Sequence, residues 1–237
     1  MRRPLLLAAL LLAGIVPVAT AGELKPFTAS YSVTWLGISA GTAEIKLEQL
    51  PDGRWSYRQQ TMVRSLFHLV APAELLLPSR SVFHIQGGEL IPETYTVGEA
   101  DAGNPQDQSI TFDWANGRVR GVVERKPVDL PTQPGLLDKL SVHVALMNAL
   151  LSGRTPDRFL MLDGNRIKDY VYSTEGKERL KTDAGEYDTV IFRSSRPGSR
   201  NGTWFWCAPE LGYLPLKVER RDGSNVQWSM RVQQVTR

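Results

Sequence analysis

The sequence predicts a mainly β protein: a large curved antiparallel sheet or half-barrel packed around one principal α-helix. Apolar and polar residues alternate with period two over most of the chain. Phe27, Ala29, Tyr31, Val33 and Trp35, for example, alternate with Thr28, Ser30, Ser32 and Thr34. One stretch, residues 136–151, instead repeats its apolar side chains at helical spacing. Turn signals such as Pro51-Asp52-Gly53, Asn116-Gly117 and Asp222-Gly223-Ser224-Asn225 cut the alternating runs into short, hairpin-connected segments. A helix with an apolar stripe must bury it, and an antiparallel sheet that is wet on one face supplies the partner.

Taken in order, the chain opens on a secretory leader. Met1-Arg2-Arg3 is charged, an apolar run from Leu5 to Val18 follows, and Ala19-Thr20-Ala21 fits a small-residue cleavage site. That run is shorter than the ~20 residues a membrane span needs, and no cysteine follows the cleavage site to carry a lipid. The expectation is a signal peptide over residues 1–21 and a single β-rich domain over 22–237. The product would be soluble, exported to the periplasm, not lipidated, and without a transmembrane anchor after cleavage.

Strand patterning begins at Phe27 and resumes over residues 42–49, with Ala43, Ile45 and Leu47 opposed to Thr42, Glu44, Lys46 and Glu48. A third strand carries Trp55 and Tyr57. Residues 65–78 are apolar, interrupted by proline and fit neither template; they read as a core-packed crossover or an entry flap for an apolar ligand. Strands return near 82–85 and 93–97. A polar loop covers 101–107, and a hairpin turned at Asn116-Gly117 joins Ile110, Phe112 and Trp114 to residues 119–123. The helix is expected over 136–151, with Asp138 and Ser141 serving its start by capping and Ser152-Gly153 ending it. Further strands are expected near 158–162, 167–174, 177–183, 187–194, 202–207, 214–221 and 226–234. With about a dozen strands and one helix, a sheet that closes on itself satisfies the pattern.

Charge and cysteine content narrow the function classes. The chain has 28 Lys and Arg against 25 Asp and Glu; without Arg2 and Arg3 of the leader the balance is 26 against 25. That gives no electrostatic case for nucleic acid, and Arg118, Arg120, Arg125 and Lys126 read as the solvated face of a strand. Cys207 is the sole cysteine, so no internal disulfide forms despite export, and its apolar setting marks a buried, inert thiol.

No motif for catalysis, metal or cofactor holds up. Gly37-Ile38-Ser39-Ala40-Gly41 has the letters of a nucleophile elbow, but a strand follows it where the chemistry needs a helix; it reads as a glycine-rich hairpin connection. His68, His84 and His143 lack metal-ligand spacing. His143 falls within the helix's apolar stripe, as a core histidine or a proton-active group in a cavity. No carboxylate pair can be placed across a scissile bond from sequence, and no nucleotide-binding glycine motif occurs. Trp204 and Trp206 share a face at strand spacing, lining a cavity or packing in the core.

The order of several short pieces resembles the bacterial exported family called domain of unknown function 3108. The pieces are Trp35-Leu36-Gly37-Ile38-Ser39-Ala40-Gly41, then Leu90-Ile91-Pro92-Glu93-Thr94-Tyr95, then Asp138-Lys139-Leu140-Ser141 and Gly185-Glu186-Tyr187-Asp188-Thr189. Thr203-Trp204-Phe205-Trp206 and residues 211–219 complete the set. The resemblance spans essentially everything after the leader, and the domain over 22–237 is accordingly expected to be of this type. It brings no reaction and no catalytic residue. It implies a fold similar in outline to curved antiparallel sheets wrapped on a helix, as in periplasmic lipoprotein carriers.

The expected function is a non-enzymatic periplasmic binding protein holding a lipid-like or hydrophobic molecule in a β-barrel cavity. Candidate lining residues are Tyr31, Trp35, Leu76, His143, Met147, Trp204, Trp206 and Tyr213; no catalytic residue, metal ligand or cofactor is expected. The alternative is an envelope interaction or assembly factor that binds another protein. A hydrolase using Ser39 or His143 ranks behind both.

Overall fold

The computed structural model describes residues 22–63, 76–98 and 106–237. The expected leader, most of the apolar segment 65–78, most of the loop at 101–107, and His68 lie outside the described residues. Fifteen strands are seen among those described. The first half holds β1 (Phe27–Trp35), β2 (Ile38–Gln49), β3 (Trp55–Val63), β4 (Ser79–Gln86), β5 (Glu89–Val97), β6 (Gln108–Asp113), β7 (Arg118–Val123) and β8 (Lys126–Pro131). After β9 (Leu136–Leu137) and helix α1 (Ser141–Leu151) come β10 (Arg158–Asp163), β11 (Arg166–Thr182), β12 (Gly185–Ser195), β13 (Gly202–Ala208), β14 (Leu214–Asp222) and β15 (Asn225–Thr236).

All fifteen belong to one sheet, in the order β8-β7-β6-β5-β4-β3-β2-β1-β15-β14-β13-β12-β11-β10-β9. Neighbours are antiparallel except the short parallel β9–β10 pair. Connectivity alone shows that this sheet rolls up. Laid flat at ~4.8 Å per strand, its edges would stand almost ~70 Å apart. Yet edge strand β8 joins edge strand β9 through residues 132–135 only, and a link of that length reaches less than ~20 Å. The two edges are therefore drawn together, β9 packs against β5, and α1 rests on β4 and β5 inside the curl. Register shifts at Ser30/Tyr31, Val33/Thr34, Val82/Phe83 and Trp206/Cys207 mark bulges, which bend strands and increase twist.

One inner row of side chains crosses the first half of the sheet through paired positions: Phe27, Leu47, Tyr57, Ser81, Tyr95 and Ile110. All six are buried. Ser81 is the small member, and the space it leaves is where the helix start is fastened. Its hydroxyl donates to Asp138 Oδ2 at 2.7 Å, while Asp138 Oδ1 accepts the backbone N–H groups of Leu140 and Ser141 at 2.8 Å each. Asp138 N–H donates in return to Ser141 Oγ at 2.9 Å. This is a reciprocal cap, Asp at the start and Ser three residues on, so the expected capping role of both residues holds.

The same cap corrects the expected helix start. Because Asp138 stops the helix from extending backwards, Leu136 and Leu137 are strand, pairing with Leu160 and Met161. The single apolar stripe is also too narrow a description. Val142, Ala145, Leu146 and Ala149 are buried along with Val144, Met147 and Leu150, leaving only His143, Asn148 and Leu151 partly accessible. A helix that is apolar almost all round belongs inside a core.

The Gly37–Gly41 segment is a hairpin connection, as the alternation after it implied. Leu36 and Gly37 take positive φ angles of 47° and 80°, the backbone of a tight turn between β1 and β2. Gly41 faces Val63, and a Cβ there would fall 2.1 Å from the Met62 carbonyl oxygen. Both glycines thus have backbone reasons that involve no nucleophile.

Replacing Asp138 by alanine orphans two buried N–H groups and the Ser81 hydroxyl. We expect a loss of about 2–4 kcal/mol, read by urea denaturation, with Asp138→Asn losing roughly half as much because one acceptor oxygen survives.

Candidate functional site

The second half of the sheet has an inner face with two unlike rows. One runs through Phe192, Phe205, Val218, Met230 and Val33, paired strand by strand across β12, β13, β14, β15 and β1. The next row along the strands runs through Tyr172, Ser194, Thr203, Arg220 and Trp228. Residues on one face recur every second position, so the rows lie ~7 Å apart. Small or short side chains at Ser194, Thr203 and Val218 leave room, and a cavity of about 420 Å³ lies over both rows. Its opposite wall is formed by Leu140, Val142 and His143 at the start of α1, with Ile45, Tyr57 and Tyr95 from the first half of the sheet.

The floor is apolar and deeply buried: Tyr31, Tyr57, Phe205 and Met230 are each under 5% exposed. Tyr31 Oη donates to the Pro215 carbonyl at 2.9 Å, and burial pushes the hydroxyl pKa of both Tyr31 and Tyr57 well up. His143 is packed against Tyr57 and Phe205, with ring centroids 6.4 and 5.5 Å away. The surface it retains belongs to the cavity lining. Burial lowers its pKa to about 4, so the imidazole is neutral at physiological pH.

The other end is polar. Asp163 accepts Lys139 Nζ at 3.0 Å, Lys168 Nζ at 2.6 Å and the Tyr170 hydroxyl at 3.0 Å. Burial works to raise the Asp163 pKa, but the Lys139 charge and these hydrogen bonds outweigh it and hold the carboxyl well below its usual range. Tyr170 is pushed up to about 12 by burial and by Asp163. Arg220 Nη1 donates to Thr203 Oγ1 at 3.3 Å, and the exposed Arg196 follows directly on β12. Among the described residues, no group of three or more His, Cys, Asp or Glu has a metal-holding arrangement.

Of the residues singled out from sequence, Tyr31 and His143 meet in this cavity. Trp35 pairs across the ladder with the lining residue Trp228 but is not itself in the lining. Met147 is buried one turn beyond His143 on α1 and outside the lining, Tyr213 sits half-buried after the turn Pro209–Leu211, and Leu76 is half-buried and also outside the lining. Trp204 and Trp206 do share a face, but it is the outer one. There Arg193 and Arg221 lie over Trp204 at 5.2 and 4.6 Å, Lys217 lies over Trp206 at 4.1 Å, and Trp206 Nε1 donates to Glu178 at 2.7 Å. The inner members of β13 are Thr203 and Phe205. Both parities of this strand are aromatic, so composition could not choose between them. Counting registers from the hairpin at Asp222-Gly223-Ser224-Asn225 would not have done so either, since it sets Arg220 opposite Gln227, whereas a bulge between Arg220 and Arg221 shifts the pairing to Trp228. Ser39 is exposed on β2 opposite Thr34, outside the cavity that holds His143. Cys207 is buried, and burial raises its thiol pKa.

The sequence profile of DUF3108, a family of proteins of unknown function, matches residues 30–227. The chain belongs to the DUF3108 family. The resemblance carried by the ordered motifs is thereby shown, and the cavity is a feature of a DUF3108 fold. That fold is similar to a β-barrel-like protein of domain of unknown function DUF1849 from Brucella abortus. The match has 8% identity and a TM-score of 0.53, covering 91% of this chain and 98% of that one. A weaker likeness, with 14% identity and a TM-score of 0.38, is to a chain of the Pseudomonas aeruginosa MucA/MucB complex, covering 89% of this chain and 51% of that one. No curated protein matches the sequence.

The His143 environment gives a pH signature. Between its ordinary pKa near 6.5 and its folded value of about 4, the unfolded chain binds a proton that the folded chain refuses. Stability therefore falls as pH drops through this window, by on the order of 3 kcal/mol at most. Denaturation at pH 7 and pH 4.5 should show that loss in the natural protein and a smaller one in His143→Leu. Equal losses would mean that His143 titrates as it does in water.

Proposed function

We propose that this DUF3108 protein is an exported, non-enzymatic binding protein of the periplasm that holds a hydrophobic molecule inside its rolled sheet. The observation that carries the reading is the interior cavity of about 420 Å³, floored by Tyr31, Tyr57, Phe205, Val218 and Met230. Its volume falls in the range of small-molecule sites, and its lining follows their pattern of an apolar body with a few convergent polar groups. A protein interior normally fills such space with side chains. Among the described residues no helix is long and apolar enough to cross a membrane.

A second reading, an envelope interaction factor, has one observation of its own. Leu36 and Ile38 at the β1–β2 hairpin tip are 58% and 63% exposed, an apolar tip of the kind a protein partner covers. Photocrosslinking from position 38 in cells would give discrete protein adducts on this reading.

Binding of a hydrophobic dye such as N-phenyl-1-naphthylamine, followed by displacement with n-alkanols, tests the carrier. Each added methylene should strengthen displacement by about fourfold until the cavity is filled. Val218→Trp should abolish uptake, with its thermal melt confirming that it folds, and Lys217→Ala on the outer face should leave uptake intact. Absence of dye uptake by the natural protein, together with no apolar species in native mass spectrometry of protein isolated from the periplasm, would overturn the proposal.

A further inference from the structure

Resting on the carrier reading, we infer that the molecule held is a single-chain amphiphile with an oxyanion head, a carboxylate or a phosphate, gripped at the polar end of the cavity by Arg220 and Arg196. The two rows of the inner sheet face supply the polarity that such a molecule needs. Phe205, Val218 and Met230 offer an apolar bed, and one same-face step away Thr203 and Arg220 offer hydrogen-bond donors. A chain lying on the first row brings its head group to the second.

Charge within the lining is one-sided. Lys139, Lys168, Arg196 and Arg220 are cationic, Asp163 is the one carboxylate among the lining residues, and His143 is neutral. The chain as a whole carries 28 basic against 25 acidic side chains, so the bias belongs to this site. Asp163 is engaged by both lysines, which leaves the two arginines to be accounted for. Strand β14 makes the contrast plain. Its outward cations, Lys217 and Arg221, are both ion-paired with Glu219 and lie over tryptophan rings. Its inward cation, Arg220, is half-buried and meets the neutral Thr203 hydroxyl, with no carboxylate in ion-pair range among the described residues. A guanidinium partly withdrawn from water without a counter-charge is costly, and an oxyanion that accepts from its planar fork removes that cost. Arg196, exposed next to Ser195 at the end of β12, stands where an entering anion meets it first. The modest volume, about 420 Å³, suits one chain.

The experiment compares probes with a common chain, all kept below their micelle concentrations: dodecanoate, dodecyl phosphate, dodecanol and dodecyltrimethylammonium, with inorganic phosphate alone as the tailless control. Dodecanoate and dodecyl phosphate should bind at least tenfold more tightly than dodecanol, and dodecyltrimethylammonium most weakly. The preference should shrink as salt is raised. Arg220→Gln should remove most of the preference for anions, Arg220→Lys should restore part of it, and the outward Arg221→Gln should leave it unchanged. Thermal melts establish that each variant is folded. Which head binds better, carboxylate or phosphate, separates a fatty acid from a phosphorylated lipid. Equal binding of dodecanoate and dodecanol would overturn the oxyanion inference while leaving the carrier reading standing. Inorganic phosphate binding as tightly as dodecyl phosphate would overturn it in favour of a small-anion site. If none of the four chains binds, the carrier reading itself falls.

Discussion

Asp138 is the point on which the interior of this protein turns. Its carboxylate is fully buried, and burial alone would drive its pKa up and favour loss of the charge. Donors converging from two elements, Ser81 on β4 and the backbone N–H groups at the start of α1, offset that cost only in part, and the pKa stays raised. One side chain therefore ends β9, starts α1 and ties the helix to the sheet. Lys139 and Leu140 follow immediately and project into the cavity lining. The position of the cavity's helical wall is thus set by a handful of hydrogen bonds at its first turn, not by the apolar body of the helix.

How legible this was in the sequence depended on the range of the interaction involved. Strands such as β1 and β2 were plain because one face is buried and the other wet, which writes a period of two into the residues themselves. β8 has no counterpart among the expected strands; it carries Pro127 and Pro131, which an edge strand tolerates where no ladder partner needs their N–H. β9 was absorbed into the helix because its two leucines pair with Leu160 and Met161, a relation that nothing local encodes. Tyr31 and His143 were found because an aromatic and a histidine stand out on apolar faces. Arg220 and Lys168 were not, because an inward charge on an alternating strand looks the same as an outward one until register is known.

The two faces of strands β13 and β14 show what that register decides. On the outside, Trp204, Trp206, Arg221, Lys217 and Glu219 satisfy one another in a compact cluster of ring-to-cation contacts and ion pairs. On the inside, small and apolar residues leave space and an arginine faces it. The outer face is finished without any partner, and the inner face is the one with chemistry left over.

One feature of the strand order bears on how the molecule comes into being. β1 and β15 lie side by side in the middle of the sheet, with Thr28 aligned to Thr236. The seam between the two halves can be sewn only when β15 reaches β1. Until then β1 and β14 each present a raw edge able to recruit other chains, and closure must wait on contacts between strands far apart in sequence, which are slow to form. A protein so arranged depends on being kept apart from its neighbours until β15 has docked on β1.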